Sequence, residues 1–155
     1  MIKNSGISKL LFLWRVKKVC SRSKSVKTLI YDCAGSELFL TYLCKDHFEI
    51  LDTRGESINM FVLFLCLFKR LNITVYETAY LKMVNPDVVL TFIDNNPSFY
   101  LLRKIKPEMT TIFVQNGLRS IMGDIFGQLM TAKESKKADY RVDYMLCFGS
   151  AVCQK

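Results

Sequence analysis

The chain has 155 residues, about the length of one domain, and half of them are apolar, which excludes a disordered chain. Its net charge of +8 is uneven: residues 1–27 hold eight of the 22 basic residues and no acidic one, so the remaining 14 balance all 14 acidic residues. A neutral body argues against nucleic-acid binding, which needs a basic patch on the folded surface. A basic segment with apolar residues fits an anionic membrane surface instead, expected here over residues 1–24.

Residues 5–20 read as a short basic helix, with Ile7, Leu10, Leu11 and Trp14 at helical spacing beside Lys9, Lys17 and Lys18. Trp14 is expected to pack this arm onto an apolar surface. Residues 21–25 read as a polar linker, so residues 1–26 form an arm and 27–155 the domain. Residues 10–14 are too short for a signal-peptide core, and the apolar run 58–68 falls short of the ~20 residues that cross a bilayer. The expected location is cytoplasmic, with peripheral attachment at the inner face of the cell membrane.

Strands and helices then alternate. Residues 27–31 form a first strand and 38–44 a helix. A second strand, 48–51, has His47 at its amino end; an apolar helix follows from Ile58 to about Leu71. Residues 75–84 form a helix closed at Asn85-Pro86, because a residue before proline leaves the helical region. Residues 87–93, continuous, β-branched and apolar, are the clearest strand. Asn96 and Pro97 suit the cap and first position of a helix through 98–105. A fourth strand spans 110–114, a helix lies near 123–131, a charged stretch covers 133–141, and 144–148 is a fifth strand. This order predicts an α/β fold: right-handed crossovers and an open parallel sheet of about five strands with helices on both faces.

Cys20, Cys33, Cys44, Cys66, Cys147 and Cys153 show no C-x-x-C spacing, and the one histidine leaves little for a zinc site. Reduced thiols are expected, with Cys44 and Cys66 acting as small hydrophobes, and no metal or cofactor. One histidine also argues against a Ser-His-Asp or Cys-His arrangement, and His47 stands at the wrong end of its strand to serve as a base.

Polar clusters follow each of the first four strands: 32–37, 52–56, 94–96 and 115–119. In a parallel sheet they share the carboxyl edge, where ligands bind. Gly35 and Ser36 read either as a tight turn and cap or as a ligand loop, without the spacing of a dinucleotide or phosphate loop. Arg54, between Asp52 and Glu56 and beside Gly55, reads either as a local ion pair or as a contact for an anion or sugar hydroxyl. Asp94, Asn95 and Asn96 offer more polar groups than a cap requires, and the surplus suits hydroxyls of a ligand. Gln115, Asn116 and Gly117 invite the same reading; Arg119 suits a phosphate or carboxylate.

At these stretches, Tyr31-Asp-Cys-Ala-Gly-Ser-Glu37, Ile50-Leu-Asp-Thr-Arg-Gly-Glu-Ser-Ile-Asn59, Pro86-Asp-Val-Val-Leu-Thr-Phe-Ile-Asp-Asn-Asn-Pro97 and Ile112-Phe-Val-Gln-Asn-Gly-Leu-Arg119, the chain resembles bacterial surface carbohydrate biosynthesis proteins related to two-domain (GT-B-like) glycosyltransferases. The resemblance covers about residues 27–150. It implies a Rossmann-like domain and sugar transfer in building O-antigen or capsule-type polysaccharide. Such enzymes have two Rossmann-like halves, the second usually holding the sugar nucleotide, and this chain matches the first. The expected function is therefore the acceptor-side half of a glycosyltransferase, incomplete alone, with a sugar nucleotide or glycan acceptor as ligand and a second-domain chain as partner. The resemblance also implies a carboxylate or histidine base on this half, for which Asp94 and Glu37 are the candidates. The alternative is a non-catalytic or truncated single-domain module binding a sugar or phosphorylated ligand.

Overall fold

The computed structural model describes residues 13–67, 72–93, 96–115 and 140–147. Seven strands are present among them: β1 (Lys17–Val19), β2 (Thr28–Tyr31), β3 (Phe48–Leu51), β4 (Ser57–Asn59), β5 (Val88–Thr91), β6 (Thr110–Val114) and β7 (Tyr144–Leu146). Helical residues 13–15 precede them, and three further α-helices accompany them: α1 (Ser36–Leu40), α2 (Met60–Cys66) and α3 (Ile73–Val84). Short 3-10 helices cover Lys45–His47 and Phe99–Lys104.

Five strands make one parallel sheet in the order β3-β2-β5-β6-β7, and each of the five expected strands lies in it. The chain leaves β2 towards β3, then returns to the other side of β2 with β5. Strand order thus reverses between β2 and β5, and in sheets of this order ligands bind at the carboxyl ends beside such a reversal. Leu29, Tyr31, Leu51, Val89, Phe99, Tyr100, Leu102 and Phe113 fill the core with residues of α3. Tyr31 and Phe99 pack with ring centroids 5.6 Å apart, and Phe99 meets Tyr100 edge-on at 5.5 Å.

Four expectations are corrected. Residues 17–19, expected in a helix, form β1, which pairs in parallel with β4. The expected helix from Ile58 starts later, because Ser57–Asn59 extend to meet β1; Asn59 then caps α2, its Oδ1 accepting the N–H groups of Phe61 and Val62. That side chain also donates from Nδ2 to the Ser21 carbonyl and the Ser23 hydroxyl, which fixes the segment read as a polar linker. Ser23 and Val26 are buried accordingly. Trp14 is exposed rather than packed.

The helix expected after Pro97 is a 3-10 helix. Asn96 still serves its start, accepting the Ser98 N–H at 3.1 Å. α3 ends at Asn85 in the left-handed conformation, φ 52°, before Pro86. Cys66 is buried as expected, whereas Cys44 is exposed; no disulfide occurs among the described residues. Among those residues no helix is long and apolar enough to cross a membrane. The helix expected near 123–131 lies outside the described residues.

Candidate active site at the sheet's carboxyl edge

The register of β2 on β3, with Tyr31 opposite Leu51, brings the segments after the two strands side by side. Asp32 is the first residue beyond β2, and Thr53 and Arg54 stand in the loop beyond β3. Asp32 has φ 78°, a left-handed conformation that Asp and Asn tolerate better than other side chains. Its carboxylate holds the turn by accepting the Ala34 N–H at 3.0 Å. It also accepts the Thr53 hydroxyl at 2.7 Å and the Arg54 Nε–H at 2.9 and 3.1 Å.

This last contact corrects the local reading of Arg54. Its ion-pair partner is Asp32, from the neighbouring strand, and not Asp52 or Glu56. The Asp32 side chain is 3% exposed and that of Arg54 46% exposed. Only Nε is engaged; the two terminal nitrogens have no partner among the described residues. A guanidinium anchored through Nε keeps the outer edge of its fork oriented for an anion.

Asp52 has another task. Its carboxylate accepts the N–H groups of Arg54 and Gly55 on one oxygen and Ser57 on the other, and so shapes the loop that presents Arg54. Gly55 takes φ 79° in that loop. Cys33 Sγ donates to Glu56 at 3.6 Å. Cys33, Asp52 and Glu56 bring ligand-type atoms within 4.8 Å of one another. Burial, then the charges of Asp52, Glu56 and Asp32, push the Cys33 thiol up to about 11. It is protonated at neutral pH, a hydrogen-bond donor and not a nucleophile.

Gly35 takes φ 74° at the start of α1 and sits so close to Phe92 that a Cβ would lie 2.5 Å from its ring. The turn after β2 and the end of β5 are thereby packed together, and Phe39 meets Phe92 edge-on at 6.1 Å. Asn96, the first described residue past that end, donates to the Tyr31 hydroxyl at 3.4 Å and to Thr53 at 3.5 Å. Ser36 is buried in the first turn of α1; Glu37, next to it, is exposed and has no partner among the described residues. Gln115 is buried at the end of β6, its N–H donating to Leu146 at 2.9 Å. Asp94, Asn95, Asn116, Gly117 and Arg119 lie outside the described residues.

The structure therefore joins Gly35, Arg54, Gly55, Glu56 and Asn96 to one cluster, with Asp32 and Thr53 as its centre. Two further members come from the core. The Tyr31 hydroxyl donates to Glu77 Oε1 at 2.6 Å, and both side chains are buried. Burial raises Glu77 above the usual carboxylate range, and the hydrogen bond from Tyr31 only partly offsets this. Tyr31 is raised as well, by burial and then by the Glu77 charge. Glu77 falls on the helix face of Tyr76, Tyr80, Leu81 and Val84, all buried. Its position in that periodicity is the signal that marks it as an inward charge.

A family model described as a putative O-antigen biosynthesis protein matches residues 112–155, taking in β7 and the end of β6 with Gln115. Over those residues the chain is similar to O-antigen biosynthesis proteins. No curated protein and no solved structure matches the chain.

Proposed function

We propose that the chain works in the assembly of O-antigen-type surface polysaccharide as the acceptor-side half of a glycosyltransferase, and that Arg54 takes a phosphate of a phosphorylated sugar ligand. The observation that carries this reading is the Asp32–Arg54 pair. A buried carboxylate holds the arginine by one nitrogen and leaves the two others without a partner among the described residues, on the edge where strand order reverses. An arginine serving stability alone gains most by satisfying all its donors, and Arg54 does not. Around it Thr53 and Asn96 supply groups suited to sugar hydroxyls. The family match over residues 112–155 supports the polysaccharide setting.

Transfer needs a base and a donor site as well. The proposal assigns the base to Glu37 or Asp94 and the donor to a second α/β half, as in the two-domain glycosyltransferases that the chain resembles.

Thermal melts with sugar nucleotides, sugar phosphates and inorganic pyrophosphate test the binding site. A ligand that binds the folded state raises the melting temperature by mass action. Wild-type protein is expected to shift with a phosphorylated sugar. Arg54→Lys, which keeps a cation beside Asp32 but removes the fork, is expected to lose most of the shift while melting near the wild-type temperature without ligand. A full shift in Arg54→Lys contradicts the assignment. The transferase role is tested by adding a chain that carries a second α/β half and following transfer from a labelled donor. Ligand binding without transfer in that mixture favours a non-catalytic module.

A further inference from the structure

α2 (Met60–Cys66) reads Met-Phe-Val-Leu-Phe-Leu-Cys, apolar on every face. A helix on the surface of a globular protein normally turns a polar stripe to water, and a helix apolar all round belongs in a core or against lipid. Here Val62, Leu63 and Cys66 are buried, but Phe61, Phe64 and Leu65 are 47%, 61% and 54% exposed. These three fall at helical spacing, so they form one outer stripe.

The stripe borders a groove of about 630 Å³ between α2 and α3. Two cations, Arg22 and Lys82, line it with Phe61, Phe64 and Leu65, and no acidic residue does. Arg22 and Lys82 are exposed and take no hydrogen bond or ion pair among the described residues. In the sequence Lys69 and Arg70 follow between the two helices.

We infer that this face docks on an anionic phospholipid surface, with the outer stripe of α2 in the acyl boundary and Arg22 and Lys82 at the phosphates. Charge selects that occupant. A second copy seated through a two-fold contact brings the same cations together. The chain's own first residues carry Lys3 and Lys9 and no acid, so they repel the rim as well. An anionic bilayer satisfies the apolar stripe and the cations at once. The inference does not depend on the ligand of the carboxyl-edge site.

The test is co-sedimentation of the full chain with phosphatidylcholine vesicles, with and without phosphatidylglycerol. Wild-type protein is expected to pellet only with the phosphatidylglycerol vesicles, and less as salt rises. Phe64→Ser with Leu65→Ser should weaken partitioning on the order of tenfold for each side chain. Arg22→Gln with Lys82→Gln, an exposed pair whose loss leaves the core untouched, should weaken it about fivefold for each charge. Wild-type partitioning in both variants, with loss in Lys3→Gln/Lys9→Gln, overturns the inference in favour of the N-terminal arm. Failure of the wild-type chain to bind phosphatidylglycerol vesicles overturns it outright. So does a wild-type dimer by light scattering that Phe64→Ser/Leu65→Ser converts to monomer without any vesicle binding.

Discussion

Two aspartate–arginine pairs stand at opposite edges of the same sheet, and they are built to different ends. At the amino edge Asp143, just before β7, accepts the N–H and hydroxyl of Thr111 at 2.7 and 2.9 Å and so extends the β6–β7 pairing. Its partner Arg103 donates from one terminal nitrogen to Asp143 and from the other to the Pro107 carbonyl. At the carboxyl edge Asp32 is buried, and Arg54 reaches it through Nε alone. The first arginine has both ends of its fork occupied by the fold. The second has no partner for either among the described residues. The same two residue types thus join two segments through the whole fork in one place and through Nε alone in the other, and the difference lies in which nitrogens the protein uses.

The contrast predicts unequal costs for the same truncation. Arg54→Ala leaves the buried Asp32 carboxylate without its counter-charge; because the arginine is half-exposed and Thr53 and Ala34 still donate to Asp32, the cost falls below that of a fully buried pair, at about 2 kcal/mol. Arg103→Ala leaves Asp143 at the surface, where water replaces the lost partner, at about 1 kcal/mol. Urea denaturation of both variants gives the comparison directly. Equal costs would mean that Asp32 is far better solvated than its burial indicates. Ligand-induced stabilisation should be unchanged in Arg103→Ala.

Much of this arrangement was legible in the sequence, and the limits have physical causes. The five sheet strands announce themselves because a strand in a parallel sheet is a short continuous apolar run, as residues 88–91 are. β1 and β4 escape because three residues are too few for periodicity, and because Ser57–Asn59 run straight into the apolar sequence of α2. The clustering of polar loops on one edge follows from parallel topology alone. Arg54 was legible as a candidate, but its ion-pair partner was not. Asp32 and Arg54 are 22 residues apart in sequence, and only the pairing of β2 with β3 brings them together. Tyr31–Glu77 was not legible, although Glu77 occupies the inward stripe of α3, because one charge within an apolar helix reads most simply as a solvated one.

The two edges should also answer pH with opposite signs. Partial burial works against ionisation of Asp143, but hydrogen bonds from Thr111 and the charge of Arg103 outweigh it and hold the carboxyl below its usual range. The folded state then releases this proton more readily than the unfolded chain. The contribution is present above the ordinary aspartate value and is lost as pH falls through the lowered folded value. Glu77 behaves in reverse. Raised by burial, it keeps its proton in the folded state at pH values where the unfolded chain has already released it. Between the ordinary and the raised value, stability therefore falls as pH rises. Glu77→Gln keeps an acceptor for the Tyr31 hydroxyl and removes the titration. It should flatten that decline and gain in stability relative to wild type on going from acid to neutral pH. Asp143→Asn should do the opposite, losing most relative to wild type at neutral pH. Urea midpoints of the two variants across the acid-to-neutral range measure both slopes. Parallel slopes for Glu77→Gln and wild type would show that Glu77 is already ionised in the fold, and that Tyr31 donates to a carboxylate.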